Sequence, residues 1–198
     1  MSGCKSTRIA FFGSALLCLV GCTAPKMTME DLKKMPMPPK PAELALLDPW
    51  VGTWQSTGEM TMAGLDQKVM GHGTQTISWE NDGRTLVERM KWETPDMGAN
   101  GNMTAICMYA LDDAKSKEFT MVMTSSMGEM CMGEMKYNDK TKTWHMKSHG
   151  KDPMSGQNVQ MKGTMTMPDP STIEWNCEQW DSMGFTKLMT MKGTSKRK

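Results

Sequence analysis

Methionine recurs in pairs two positions apart, as Met60/Met62, Met121/Met123, Met130/Met132, Met165/Met167 and Met189/Met191, inside runs of alternating character. Successive side chains of a β-strand point to opposite faces, so residues two apart share one face. No sustained helical period competes with this pattern. Short alternating runs follow one another at 50–62, 68–80, 84–92, 102–111, 118–126, 129–137, 143–151, 157–167, 172–181 and 185–192. Turn chemistry such as Asn81-Asp82-Gly83 and Pro168-Asp169-Pro170-Ser171 separates them, and links this short suit hairpins between sequence neighbours. Consecutive antiparallel strands either leave exposed edges or close, and closure removes the edges. The expected fold is all-β, an antiparallel up-and-down barrel of about ten strands, with a two-sheet sandwich as the alternative.

Residues 1–21 read as a targeting segment. Lys5 and Arg8 precede the apolar run Ile9 to Val20, which is too short to span a bilayer and fits the apolar region of a signal peptide. The run ends Leu19-Val20-Gly21-Cys22, which resembles the bacterial lipobox. That resemblance implies lipid attachment at Cys22 and an address in the cell envelope. Thr23 in the next position favours the outer membrane under the same rule. Residues 22–43 then form a tether. It carries Pro36, Pro38, Pro39 and Pro41, which favour an extended spacer, with a helical turn expected at Glu43–Leu47. The folded domain is expected over 44–198. Losing Lys5 and Arg8 takes the formal charge from +1 to −1. A near-neutral chain without a long basic run has no electrostatic footprint for nucleic acid.

The alternation assigns faces. Trp54, Met60 and Met62 lie opposite Gln55, Thr57, Glu59 and Thr61, and Phe119, Met121 and Met123 oppose Glu118, Thr120 and Thr124. Met161, Met165 and Met167 in the eighth run follow the same rule, while the tenth is less clean, because Phe185, Met189 and Met191 share their face with Lys187. The sixth run is ambiguous, because Met130 and Met132 share a face with Glu134 and Lys136.

Trp50-Val51-Gly52-Thr53-Trp54 resembles the Gly-x-Trp opening of calycin barrels, the lipocalin and fatty-acid-binding-protein group. That resemblance implies Arg197 as a basic residue packed over Trp54 to close the barrel. Further landmarks are Asn81-Asp82-Gly83-Arg84-Thr85-Leu86, Met108-Tyr109-Ala110-Leu111-Asp112, Ser125-Ser126-Met127-Gly128 and Thr194-Ser195-Lys196-Arg197-Lys198. Together they resemble the secreted bacterial domain of unknown function 1579, a calycin-like family without an established activity. The resemblance therefore implies a fold and little about function.

From Cys22 onward the chain has 25 methionines (26 less Met1), against 16 leucines, isoleucines and valines. Methionine is adaptable and fills irregular cores, so core packing is the first explanation. A second is a lumen lined by Met60, Met62, Met121, Met123, Met161, Met165, Met167, Met189 and Met191, suited to a small apolar ligand. Thioethers also select Cu(I) and Ag(I). That points to Met127, Met130, Cys131, Met132 and Met135, and to the tether residues Met27, Met29, Met35 and Met37, where there is no core to fill. An oxidant sink and a filled-core assembly lipoprotein are the remaining readings.

Other chemistry is sparse. Cys107, Cys131 and Cys177 remain in the domain, and the expected strand separation of the first two exceeds disulfide reach, so buried thiols are expected. Alternation sends His72, His145 and His149 outward. Glu88, Glu118, Glu174 and Asp181 are assigned to outward or turn-flanking positions. No phosphate loop, nucleophile elbow or Cys-His signature is present. The expectation is a non-enzymatic envelope lipoprotein without a cofactor, carrying a small apolar ligand.

Overall fold

The computed structural model describes residues 28–34 and 38–198. The chain divides into two compact units, Met1–Pro38 and Pro39–Lys198. Within the first, Met29–Lys34 form a short helix, α1. The proline-rich composition predicts an extended spacer across 22–43. Its prolines lie outside these six residues, and Lys33 and Lys34 in the last turn complement the helix dipole.

In the second unit the described residues form ten antiparallel strands closed into a ring. They are β1 (Gly52–Met62), β2 (Val69–Glu80), β3 (Thr85–Glu93), β4 (Asn102–Asp113), β5 (Glu118–Ser125), β6 (Met130–Asn138), β7 (Thr143–Lys151), β8 (Asn158–Asp169), β9 (Thr172–Asp181) and β10 (Lys187–Arg197). Each pairs with its sequence neighbours, and β1 pairs with β10 to close the ring. The alternation located all ten. It stopped the last one short, because the inward positions of its final stretch are Gly193 and Ser195, which carry no apolar signal. Both pair with β1, opposite Gly58 and Ser56. The Ser56 and Ser195 hydroxyls, both buried, hydrogen-bond across this seam at 2.7 Å.

One end of the barrel is sealed. A 3-10 segment, Ala42–Trp50, tucks Leu44, Leu47 and Trp50 beneath the strands. It is longer than the expected turn at Glu43–Leu47 and runs through Pro49. Trp54 donates its indole N–H to the Trp50 carbonyl at 2.7 Å. Trp50 stacks edge-on against Tyr109 and Trp144 with centroids 5.7 and 5.2 Å apart, and Phe119 meets Trp144 at 5.4 Å. Leu86, Met135 and Ile173 complete a cluster shut off from water. Burying aromatic rings of this size dominates a core's energetics. Arg197 lies over the outer edge of this plug, with its guanidinium carbon 4.2 Å from the Trp54 ring centroid.

Towards the other end the filling changes. Trp92 and Trp175 meet edge to face at 6.0 Å, and the wall beside them is thinned to admit them. A Cβ on Gly71 would fall 2.5 Å from the Trp92 indole nitrogen, and one on Gly58 would fall 2.8 Å from the Trp175 ring.

Candidate functional site

The two ends of the barrel differ in chemistry. At the sealed end, the turns place polar residues in left-handed backbone, Asn81, Asp82, Lys117 and Lys142, with one glycine, Gly83, among them. The opposite end is ringed by five connections: 63–68, Pro95–Gly101, 126–129, 152–157 and 182–186. There glycines supply the left-handed positions and apolar residues stand beside them. Gly128 (φ 87°) follows Met127, and Gly184 (φ 75°) sits between Met183 and Phe185. Phe185 is 80% exposed, Met183 70% and Met154 68%. Met70 and Met130, where β2 and β6 begin, are also more than half exposed. Among the described barrel residues, every large apolar side chain more than half exposed lies at this end. Single exposed apolar residues are ordinary, but a ring of them around one opening is not.

Register places the inner methionines. Met60 pairs with Met191 and Met62 with Met189, and that tier continues through Gln179 and Met161. These five methionines are half-buried, on the inner face of the open half. The other four expected to line a lumen do something else. Met121 is buried, and Met123, Met165 and Met167 pack against the aromatic cluster. The expected ligand-sized lumen is therefore corrected in part. The space bounded by Gly58, Met60, Gly71, Trp92, Trp175 and Met191 is about 30 Å³, room for a water rather than a ligand. The tryptophans occupy the volume that methionine spacing alone left open. The indole N–H of Trp175, on that cavity's wall, is buried and has no hydrogen-bond partner among the described residues.

Polar groups also collect at the mouth. Gln179, buried beneath the rim, donates its amide N–H to Asp152 Oδ2 at 2.9 Å. Burial alone would raise the Asp152 pKa, but the backbone N–H groups of Ser155 and Met154 and the Gln179 amide outweigh it and hold it down. Glu129 is displaced the other way. Burial lifts its carboxyl, the Ser125 hydroxyl opposes this, and the Asp152 charge adds to the rise.

Deeper in the barrel lies a group that the parity reading misplaced. Alternation puts Glu88 outward, yet it is buried on the inner face between Ile77 and Cys107 in register. The Tyr109 hydroxyl donates to its Oε2 at 2.8 Å. Burial raises the Glu88 pKa, with Tyr109 partly opposing. Leu86, Val87 and Glu88 are buried in succession, so a face set by alternation was illegible there. Glu174 is exposed, Glu118 lies 4.0 Å from Lys136, and Asp181 caps its own turn by accepting the Phe185 N–H.

The soft-ligand set around β6 does not converge. Cys131 and Met135 are buried on the inner face, Met130 and Met132 are exposed on the outer wall, and Met127 is in the preceding turn. Odd and even residues of one strand face apart, which separates them. Met29 is exposed in α1, and Cys22, Met27, Met35 and Met37 lie outside the described residues. The cysteines Cys107, Cys131 and Cys177 are all unbridged. Among the described residues, no three His, Cys, Asp or Glu side chains are grouped to hold a metal. His72, His145 and His149 are exposed. Trp175 and Trp180 take opposite faces, with Lys162 and Lys187 covering the outward Trp180 at 5.3 and 5.1 Å.

No family model matches the chain, and no curated protein matches it. Solved structures do. Rv2717c from M. tuberculosis aligns over 81% of this chain and 99% of its own length, with a TM-score of 0.62 and 11% identity. The S-type phycobiliprotein lyase CPES from Guillardia theta aligns over 78% and 91%, with a TM-score of 0.53 and 14% identity. A DUF3598-family protein of unknown function from Nostoc punctiforme aligns over 77% of this chain and 48% of its own, at a TM-score of 0.41 and 9% identity. At such identities the first two likenesses concern the fold alone, a closed antiparallel barrel.

Proposed function

We propose that this chain is a non-enzymatic binder of a small, largely apolar molecule, taken up at the open end of the barrel. The observation that carries the reading is the contrast between the two ends. One is plugged by aromatic rings, and the other is ringed by exposed Met154, Met183 and Phe185 above half-buried Met60, Met62, Met161, Met189 and Met191. Flexible thioethers can re-pack around a guest that a rigid wall would exclude. Binding at the mouth thus calls for side-chain movement rather than a ready-made chamber. A guest with one hydrogen-bond acceptor fits best, because the Trp175 indole N–H lacks a partner and an unpaired buried donor is costly.

The same proposal places the protein in the cell envelope, held by a lipid on Cys22, in keeping with the lipobox resemblance. The resemblance to the domain of unknown function 1579 family is compatible with a binding barrel. Native mass spectrometry of the full-length protein, released gently from envelope membranes, tests the reading. A co-purifying organic mass is expected, lost in a Met183→Ser/Phe185→Ser variant whose melting temperature is unchanged. An empty protein that also takes up no added apolar probe overturns it. Replacing Cys22 with Ser should move the chain out of the membrane fraction.

A further inference from the structure

On the outer wall, the exposed methionines of β6 have a companion that the linear sequence hides. Met132 lies directly opposite His149 of β7 in register, and Met130 is two residues along the same face. Directly opposed side chains in an antiparallel pair have Cβ atoms about 4.5–5.5 Å apart. All three residues line one surface groove of about 620 Å³ between β6 and β8. Met130 is 61% and Met132 48% exposed, so core packing does not account for them.

We propose that Met130, Met132 and His149 form a surface site for a soft monovalent cation, Cu(I) or Ag(I). Thioether sulfur selects such ions over hard divalent ones, and imidazole suits copper. Two flexible thioethers on one strand, with an imidazole facing them from the next, can supply three donors to one ion without moving the backbone. Gln160, opposite His149 on β8, hydrogen-bonds to the Ser182 carbonyl at 2.7 Å and so borders the groove as an already engaged amide.

The charged groups on neighbouring outward positions are Lys147 and Lys151 of β7, Lys162 of β8 and Glu134 of β6. This surrounding, cationic on balance, favours an ion of single charge over a divalent one.

The site borders the mouth and shares the exposed Met130 with its rim, but its ligand differs and it uses none of the residues tested for the apolar guest, so either reading can fail alone. The test is a titration of the detergent-solubilised full-length protein with Ag(I), which avoids copper redox chemistry, followed through the methyl resonances of its methionines. The expected result is saturation near one equivalent with the Met130 and Met132 methyls and the His149 ring moving together. His149→Ala and Met130→Ile/Met132→Ile should each weaken binding at least tenfold without a change in melting temperature. Should the double variant fold poorly, His149→Ala carries the test alone. Absence of saturable uptake overturns the proposal, as does uptake reported only by inner methionines or cysteines, or binding that survives the variants.

Discussion

Arg197 sets its guanidinium over the Trp54 ring at 4.2 Å and also donates to the backbone carbonyls of Pro49, Val51 and Pro170. One side chain thus ties β10 to the plug, to the start of β1 and to the β8–β9 turn. Arg197→Met keeps some apolar cover and loses the charge and its donors. The expected cost is about 1–2 kcal/mol, read as a lower urea midpoint at unchanged slope. An unmoved midpoint would show that the clasp contributes nothing to stability.

Glu88 should make stability depend on pH in an unusual direction. Burial raises its pKa in the folded chain, so the native state holds the proton more tightly than the unfolded state. Its contribution is complete below the ordinary carboxylate value, about 4.3, and declines as pH rises through the raised native value. Glu88→Gln removes this dependence. Relative to the parent, the variant should melt higher at neutral pH and gain little near pH 4. Parallel melting curves across that range would contradict the assignment of Glu88 as a buried acid.

Gly71 and Trp92 should behave as a coupled pair. The three nearest atoms to a new Cβ on Gly71 all belong to the Trp92 indole, from 2.5 to 2.7 Å. Overpacking of this kind costs about 1–3 kcal/mol. Gly71→Ala should therefore destabilise, and should cost much less in a Trp92→Leu background. A double-mutant cycle without a coupling energy would refute the contact.

The inner thiols should be unreactive until the barrel opens. Burial pushes Cys131 and Cys177 up to about 11, and Cys107 is raised well beyond its ordinary value by burial and by the neighbouring Glu88. The thiolate is the nucleophile, and little of it exists near pH 8. Peptide mapping after iodoacetamide treatment should find all three unlabelled in the native protein and alkylated in urea. Rapid native labelling of Cys131 would mean that the mouth admits reagents this deep.

Strand positions were legible because the wall alternates almost everywhere, as in Thr53 to Gly58 or Met103 to Leu111. Alternation speaks of faces, however, and says nothing of what crosses the interior. Trp92 and Trp175 fill the space over Gly71 and Gly58, residues an apolar pattern does not register. The mouth was missed for a different reason. Its apolar residues sit in turns, where no period exists, although Met-Gly at 97–98, 127–128 and 183–184 was a recurrent signal. His149 was correctly read as outward, but its pairing with Met132 depends on strand register, which hairpin length alone did not supply.

The seam between β1 and β10 bears on how the chain reaches this state. Ser56 and Ser195 are 139 positions apart, while every other strand pair joins sequence neighbours. Hairpins can zip one after another, but the ring has to await its most distant contact, and such contacts slow folding. Until then two strand edges stand open, each a template for a neighbouring molecule. The vulnerable form of this protein is thus a nearly finished sheet, and a crowded compartment would need to shield it for the duration of that single last step.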